Sequence, residues 1–263
     1  MAILKEFRNV PKELIKRMLA QYFVKFSSHC ELQVLGSSYG SWTIDVSKNL
    51  TGMLLISGGL GEDASFDLEF ISKFGSKVVL VDPTDRAEQH FWNIYNYLGH
   101  PAKTTYSTDG NQPISAYDLS QVNQTQISFI KMAFWESKCL LKLYPPKNPS
   151  HVSFGLKRTR RGTRKSSDFL WADAISVQQL IEDLGIRGNF ILKLDIEGAE
   201  IATIHSLLDS EVRPQQILVE FEYLSMGNLC RFMQVVKLHK RLLSLGYELV
   251  SLHLSRNATY RQI

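Results

Sequence analysis

Short apolar segments alternate with amphipathic segments over most of the chain, and this alternation limits the folds open to it. The apolar segments are MLLIS (53–57), KVVLVD (77–82), ISFIKMAF (127–134), FILKLD (190–195) and QILVEFEY (216–223). Between them, apolar residues recur at helical spacing, for example over 64–75 and 84–98. Continuous apolar runs are typical of parallel strands that are covered by helices on both faces. The sequence therefore predicts an α/β fold with a mostly parallel sheet and helices on both faces.

The two ends of the chain depart from this alternation. At the C-terminus, two strand-like segments within 247–263 are joined by a tight turn, and a turn that short joins only antiparallel strands. At the N-terminus, charged and apolar residues over 2–26 follow a helical pattern. We expect an N-terminal helical extension over 1–40 and a single domain over 41–263. Prolines and basic residues predict an inserted hairpin and loop at about 136–168.

Positive charge is concentrated in the segment KRTRRGTRK (157–165). It holds six of the 30 Lys and Arg residues, and the remaining 24 are balanced by 26 Asp and Glu residues. The segment contains no aromatic residue on which a base could stack, so it does not indicate a nucleic-acid partner. We interpret it as an exposed surface loop or as a segment that holds an anionic substrate.

The sequence also carries indications of cellular location. No apolar stretch approaches the roughly 20 residues that cross a bilayer, and the N-terminus lacks the apolar block of a signal peptide. The three cysteines lie far apart, at positions 30, 139 and 230, which favours reduced thiols. We expect a cytoplasmic protein without a membrane partner. Nothing in the sequence indicates an oligomeric state.

The predicted sheet indicates where a ligand should bind. In open α/β sheets, ligands collect beyond the carboxyl ends of the parallel strands. Five segments follow the predicted strands and should therefore surround one crevice: 57–63, 82–86, 131–135, 195–200 and 220–224.

The first of these segments, SGGLGED (57–63), is a glycine-rich turn between a strand and a helix. Its Gly59 and Gly61 fit a dinucleotide fingerprint, and Asp82 follows the next strand, where a carboxylate can accept hydrogen bonds from both hydroxyls of a ribose. Both NAD and S-adenosylmethionine (SAM) present such a ribose. Glu62 and Asp63 would oppose a pyrophosphate by like charge, which favours SAM over the NAD alternative.

The segment LKLDIEGAE (192–200) ends an apolar strand with three carboxylates. Glu200 and, in part, Glu197 are explained by the start of a helix, where the helix dipole stabilises negative charge. Asp195 directly follows a strand that should be buried on both faces, and a carboxylate there needs a partner. The pattern therefore indicates a functional role for Asp195.

The same segment resembles a known signature. KLDIEGAE is similar to the K-x-D-x-E-G-A-E motif of the FkbM-type methyltransferases, a family of SAM-dependent class I enzymes. SGGLGEDASFD, VDPT (81–84), ILVEFE (217–222) and the C-terminal RNATYRQI agree with the family in order, from about residue 40 onward. The chain departs from many class I enzymes at Ser57, where they carry an acid. The resemblance implies a Rossmann-like class I fold with a mostly parallel seven-stranded sheet and an antiparallel C-terminal strand.

The resemblance also implies a function, namely methyl transfer from SAM to a hydroxyl of a sugar or another small molecule. Asp195, Glu197 and Glu220 are the expected catalytic residues. The expected cofactor contacts are Ser57, Gly59, Gly61, Asp63, Asp82, Met132 and Ala133. A divalent metal held by the carboxylates is an alternative that we do not favour. The acceptor is expected to be a small molecule, and the basic segment is consistent with an anionic or nucleotide-linked one. Two alternatives stay open, an NAD-dependent oxidoreductase and a non-catalytic SAM-binding protein.

Overall fold

A computed structural model describes residues 29–146, 154–156, 169–222, 229–253 and 257–263. Within these ranges the strands are Leu32–Leu35 (β1), Trp42–Asp45 (β2), Leu54–Gly58 (β3), Val78–Val81 (β4), Ile127–Ile130 (β5), Ala133–Phe134 (β6), Cys139–Leu143 (β7), Leu170–Ile175 (β8), Phe190–Leu194 (β9), Gln216–Glu220 (β10), Tyr247–His253 (β11) and Asn257–Gln262 (β12). The helices are Ser65–Phe74 (α1), Asp85–Asn96 (α2), Val177–Asp183 (α3), Glu200–Asp209 (α4) and Leu229–Ser244 (α5), with a 3-10 turn at Ile114–Ala116.

The central sheet contains seven strands in the order β11-β12-β10-β9-β3-β4-β5. The strands from β10 to β5 pair in parallel, whereas β12 is antiparallel to both of its neighbours. This confirms an α/β protein with a mostly parallel sheet and an antiparallel C-terminal strand. From β3 the chain first adds β4 and β5 on one side and later β9 and β10 on the other, so the strand order reverses between β3 and β9.

The two faces of this sheet are covered by different helices. Alternate side chains of a strand point to opposite faces. Leu55, Ile191 and Leu218 belong to a buried cluster that includes residues of α1 and α2. Their neighbours Ile56 and Leu192 belong to a second cluster, with residues of α3, α4 and α5. Burial on both faces explains why these strands are apolar without alternation.

A hairpin of β1 and β2 is joined to the C-terminal part of the sheet. The side chain of Gln216 accepts a hydrogen bond from the amide of Asp45 and donates one to its carbonyl, at 3.0 and 2.7 Å. Thr259 on β12 donates to the carbonyl of Thr43 at 2.6 Å. The predicted domain boundary at residue 41 therefore lies inside a hairpin, and 32–35 form a strand. The predicted leading helix at 2–26 lies outside the described residues.

The insertion after β5 forms a small sheet with the order β6-β8-β7. Within the predicted insertion at about 136–168, β7 pairs antiparallel with β8, which follows the insertion. The short bridge between Tyr144 and Gly155 adds one further pair of backbone hydrogen bonds. The basic segment 157–165 lies outside the described residues.

None of the helices in the ranges that the structure describes has both the length and the apolar character needed to cross a bilayer.

Candidate functional site

A cleft of about 440 Å³ opens at the carboxyl ends of the parallel strands, where the strand order reverses. All five segments that the sequence predicted for the crevice contribute to its wall. They supply Gly59–Asp63, Asp82–Thr84, Ala133–Phe134, Asp195–Glu197 with Ala199, and Glu220. A cleft therefore lies at the edge of the sheet where the sequence predicted a crevice.

The glycine turn after β3 lies directly against the acidic segment after β9. Gly59 has a φ of +84°, and a Cβ atom built on it would lie 1.8 Å from the carbonyl oxygen of Asp195. A side chain at this position would thus be strained and would collide with the neighbouring backbone. The amide of Asp195 also donates to the carbonyl of Gly58 at 2.9 Å. The two halves of the predicted site are therefore in contact.

Asp82, the expected ribose ligand, is buried and bonded to the protein at both oxygens. Its Oδ2 accepts from the amides of Leu60 and Gly61, at 3.0 and 3.1 Å. Its Oδ1 accepts from the amide and hydroxyl of Thr84, at 2.9 and 2.7 Å. A carboxylate offers about four acceptor positions, and these four donors occupy them. Asp82 therefore holds the glycine turn closed in addition to lining the cleft.

Asp63 has a similar structural role at the start of α1. Its oxygens accept hydrogen bonds from the hydroxyl of Ser37 at 2.6 Å, from the side-chain amide of Gln112 at 3.2 Å and from the amide of Ser65 at 2.9 Å. The carboxylate thus ties the β1–β2 hairpin region to the helix while still lining the cleft.

The amides near the N-terminus of α1 are also used within the protein. The amide of Ala64 donates to the hydroxyl of Tyr117 at 3.1 Å, and the amide of Ser65 donates to Asp63. Helix N-termini bind phosphates through amides that have no such partner. The arrangement is therefore unlike a pyrophosphate site.

Glu62 would repel a pyrophosphate less than the sequence suggested, because its carboxylate is paired with Arg86. Arg86 on α2 donates to both carboxylate oxygens of Glu62, at 3.2 and 2.5 Å. This bidentate pair neutralises the charge of Glu62. The occupied amides, not the charge of Glu62, are the feature that disfavours a dinucleotide.

Two expected cofactor residues lie away from the cleft wall. Ser57 is fully buried beneath the glycine turn, where its Oγ accepts a hydrogen bond from Nζ of Lys193 at 3.3 Å. Met132 packs against the apolar cluster on the helix α4 side of the sheet. Ala133, the next residue, does line the cleft.

The three expected catalytic carboxylates all line the cleft. The last paired positions of β9 and β10 are Leu194 and Val219, so Asp195 and Glu220 each follow one residue later on neighbouring strands. Glu197 has a φ of +48°, which is unusual for a residue with a side chain. Strained backbone of this kind is concentrated at functional sites.

Glu200 begins α4 and is almost completely buried. Its Oε1 accepts a hydrogen bond from the amide of Gly198 at 2.7 Å. Burial raises the pKa of Glu200 to about 8, and nearby Glu222 and Asp195 contribute in the same direction against the hydrogen bonds, which lower it. The capping role predicted for Glu200 is thus present as a hydrogen bond, but the carboxyl group is mostly protonated at neutral pH.

We expect the free energy of unfolding to fall as the pH rises from about 4.5 to about 8. The folded state retains the proton of Glu200 over this interval while the unfolded state releases it, so alkaline pH favours unfolding. Glu200→Gln should flatten this dependence by an amount on the order of a few kcal/mol, because glutamine stays neutral. Urea unfolding of both proteins at several pH values measures it. Parallel pH profiles would contradict the assignment.

Several residues of the cleft were not identified from the sequence. Leu141, Leu143, Phe154 and Leu156 form an apolar wall that comes from the insertion. Lys193 and Trp42 line the cleft on the side of the β1–β2 hairpin. Lys193 could have been noticed in the sequence, because a lysine is unusual inside a strand that is predicted to be buried. The apolar wall could not, because it depends on how the insertion folds back onto the cleft.

No family model, curated protein or solved structure matches this chain. Among the described residues, no group of three or more His, Cys, Asp or Glu side chains is arranged to hold a metal ion. The fold and the site define an α/β protein with a cleft at the reversal of its strand order.

Proposed function

We propose that this protein is a SAM-dependent methyltransferase of the class I fold, which transfers a methyl group to a hydroxyl of a small molecule. The observation that carries the proposal is the contact between Gly59 and Asp195. It joins the glycine turn expected to bind the cofactor to the acidic segment expected to perform chemistry, within one cleft. The glycine turn and the acidic segment were identified separately in the sequence, and the resemblance implies that they lie in one site.

The shape of the site supports this proposal. The cleft volume of about 440 Å³ falls within the range of small-molecule sites, roughly 300–1,000 Å³. The cleft also lies at the reversal of strand order, where ligands of open α/β sheets bind. The seven strands, with the C-terminal one antiparallel, are the arrangement that the resemblance implies.

The NAD-dependent alternative has less support. A dinucleotide presents a pyrophosphate, which needs donors at the glycine turn. The amides of Leu60 and Gly61 are bonded to Asp82, and the amide of Ala64 is bonded to Tyr117. SAM has no phosphate and makes no such demand.

The residues of the cleft fit a methyl transfer. When bound, SAM supplies an electrophilic methyl group on a sulfonium, and the acceptor hydroxyl supplies the electron pair of the new bond. A hydroxyl is a weak nucleophile, so a carboxylate must take its proton as the bond forms. We assign this step to Asp195 and the positioning of the acceptor to Glu220, with Glu197 beside them. Much of the acceleration would come from holding the reacting groups in line.

We expect isothermal titration calorimetry to detect binding of SAM and of its demethylated product, S-adenosylhomocysteine, but not of NAD. Asp82→Asn should weaken both adenosyl ligands by about tenfold or more, because an amide cannot accept all four hydrogen bonds by which Asp82 holds the glycine turn in the cleft wall. Asp118→Asn is the matched control, since Asp118 is an exposed carboxylate that is bonded locally to Ser120. The control should bind like the wild type.

The outcome of this titration separates the alternatives. A calorimetric binding signal with NAD, but with neither SAM nor S-adenosylhomocysteine, would contradict the proposal and favour an oxidoreductase. Binding of SAM without release of S-adenosylhomocysteine for any acceptor in a panel of sugars and other hydroxylated compounds would favour a non-catalytic SAM-binding protein.

A further inference from the structure

Lys193 is a buried lysine in the middle of the sheet. It lies on β9 opposite Ser57 on β3, and the residue is only 3% exposed. A lysine is almost never buried to this degree unless its charge is used or paired. The functional assignments above leave Lys193 without a role, so its burial needs a separate explanation.

The ammonium group of Lys193 lies at the edge of the cleft. Its Nζ donates to the carbonyl of Gly59 at 3.2 Å and to Oγ of Ser57 at 3.3 Å, and lies 5.3 Å from the centre of the Trp42 ring. Both Gly59 and Trp42 line the cleft, as does Lys193 itself. An ammonium has three N–H donors, and in the described part of the chain only these two oxygens accept from it. One donor is therefore left for a ligand.

The buried carboxylate of Asp67 interacts electrostatically with Lys193 and is not among the residues that line the cleft. Asp67 in the first turn of α1 is fully buried, and its two oxygens have no hydrogen-bond partner among the described residues by distance and angle. Burial raises the pKa of Asp67, while the positive charge of Lys193 and the nearby hydroxyl of Ser57 oppose this rise. Asp67 therefore does not occupy the remaining N–H donor of Lys193.

We propose that Lys193 binds the carboxylate of the amino-acid part of the cofactor. The inference rests on the proposed function, and it goes further by assigning one cofactor group to one residue. SAM has a single anionic group, the carboxylate of its methionine part. A buried cation with a remaining donor at the cleft edge complements that group in charge and in hydrogen bonding. Hydrogen bonds between charged partners in such surroundings are among the stronger ones.

A purely structural role would leave a different experimental signature. If Lys193 served only to hold Gly59, its loss would disturb the glycine turn and weaken every ligand of the cleft equally. A carboxylate-binding role predicts a selective effect on ligands that carry the carboxylate. S-adenosylhomocysteine carries it, whereas 5′-methylthioadenosine has the same adenosyl thioether without the amino-acid part.

The test is calorimetric titration of wild type and Lys193→Met with these two ligands. We expect Lys193→Met to weaken S-adenosylhomocysteine by about 10- to 100-fold and 5′-methylthioadenosine by less than about threefold. Lys142→Met is the matched control, because Lys142 stacks on Phe169, 3.7 Å from its ring centre, and does not belong to the cleft wall. This control should leave both affinities unchanged.

A second measurement needs no variant. Wild-type protein should bind the carboxamide analogue of S-adenosylhomocysteine at least tenfold more weakly than the acid, because the amide lacks the negative charge. Equal losses for both ligands in Lys193→Met, or equal affinity of acid and carboxamide for the wild type, would overturn the assignment of Lys193 alone. Failure of the wild type to bind any adenosyl ligand would overturn the proposed function together with it.

Discussion

Replacing Asp195 with asparagine is expected to slow methyl transfer strongly while leaving the affinity for SAM nearly unchanged. Asparagine keeps the size and one oxygen of the side chain but cannot take a proton from the acceptor hydroxyl. General-base catalysis contributes roughly 10²–10⁴-fold, so kcat should fall by that factor. Release of S-adenosylhomocysteine with a hydroxylated acceptor measures the first effect, and calorimetry with SAM measures the second.

Because Asp195 lies next to the glycine turn, comparing the effect of Asp195→Asn on SAM affinity with its effect on kcat shows whether the side chain binds the cofactor or acts in the chemical step. Its backbone contacts the glycine turn, so a change in the backbone would disturb the cofactor half of the cleft as well. The exchange of a carboxylate for an amide alters the side chain alone. Asp173→Asn, an exposed position on β8, is the control and should retain full activity. Equal loss of affinity and transfer would make Asp195 a cofactor ligand, and full activity would exclude it as the base.

Replacing Arg261 with methionine is expected to cause the largest loss of stability among our predictions. Its guanidinium donates to Asp45 at 2.5 Å, to Ser47 at 2.9 Å, to the carbonyl of His29 at 3.0 Å and, through two nitrogens, to Glu248. The side chains of Arg261 and Asp45 are only 9% and 1% exposed. The network joins the β1–β2 hairpin to the two C-terminal strands.

Loss of the guanidinium leaves the carboxylate of Asp45 buried without its cationic partner. Breaking a buried ion pair from one side costs about 3–5 kcal/mol. For a chain of this size we expect a melting temperature lower by roughly 6–20 °C. Calorimetric or fluorescence-monitored unfolding measures the change.

A second substitution distinguishes the buried charge from lost packing. Adding Asp45→Asn to Arg261→Met removes the unpaired carboxylate and should restore part of the stability, which gives a positive coupling in a double-mutant cycle. Arg241→Met is the control, because its partner Asp209 is 71% exposed and surface pairs contribute about 0–1 kcal/mol. Additive effects of the two substitutions would contradict the proposed pairing.

The sheet could be predicted because its signal is local. Strands such as β3 and β9 are recognisable from their own apolar residues, since burial on both faces requires them to be apolar at every position. The glycine turn and the segment after β9 could likewise be recognised one at a time. Their meeting in one crevice followed from the rule that parallel strands end at the same edge.

The β1–β2 hairpin and the insertion could not be predicted in the same way. β1 is short and half exposed, and its position depends on partners such as Asp45, Gln216 and Arg261 that are distant in sequence. The partner of β7 is β8, and a long segment separates the two strands in sequence. No short turn joins them, so no turn residues in the sequence indicate that they pair. Pairing between segments so far apart is decided by packing and has no local pattern.

The sequence by itself determined the fold class, the edge of the sheet that carries the cleft and the carboxylates that line it, because each depends on residues close together in the chain. Only the tertiary structure decided how those side chains are used. It showed that Asp82 closes the glycine turn, that Glu200 is buried with a raised pKa, and that Lys193 offers a donor at the cleft edge. Hydrogen-bond partners and burial arise from segments brought together by folding, which spacing along a chain does not encode.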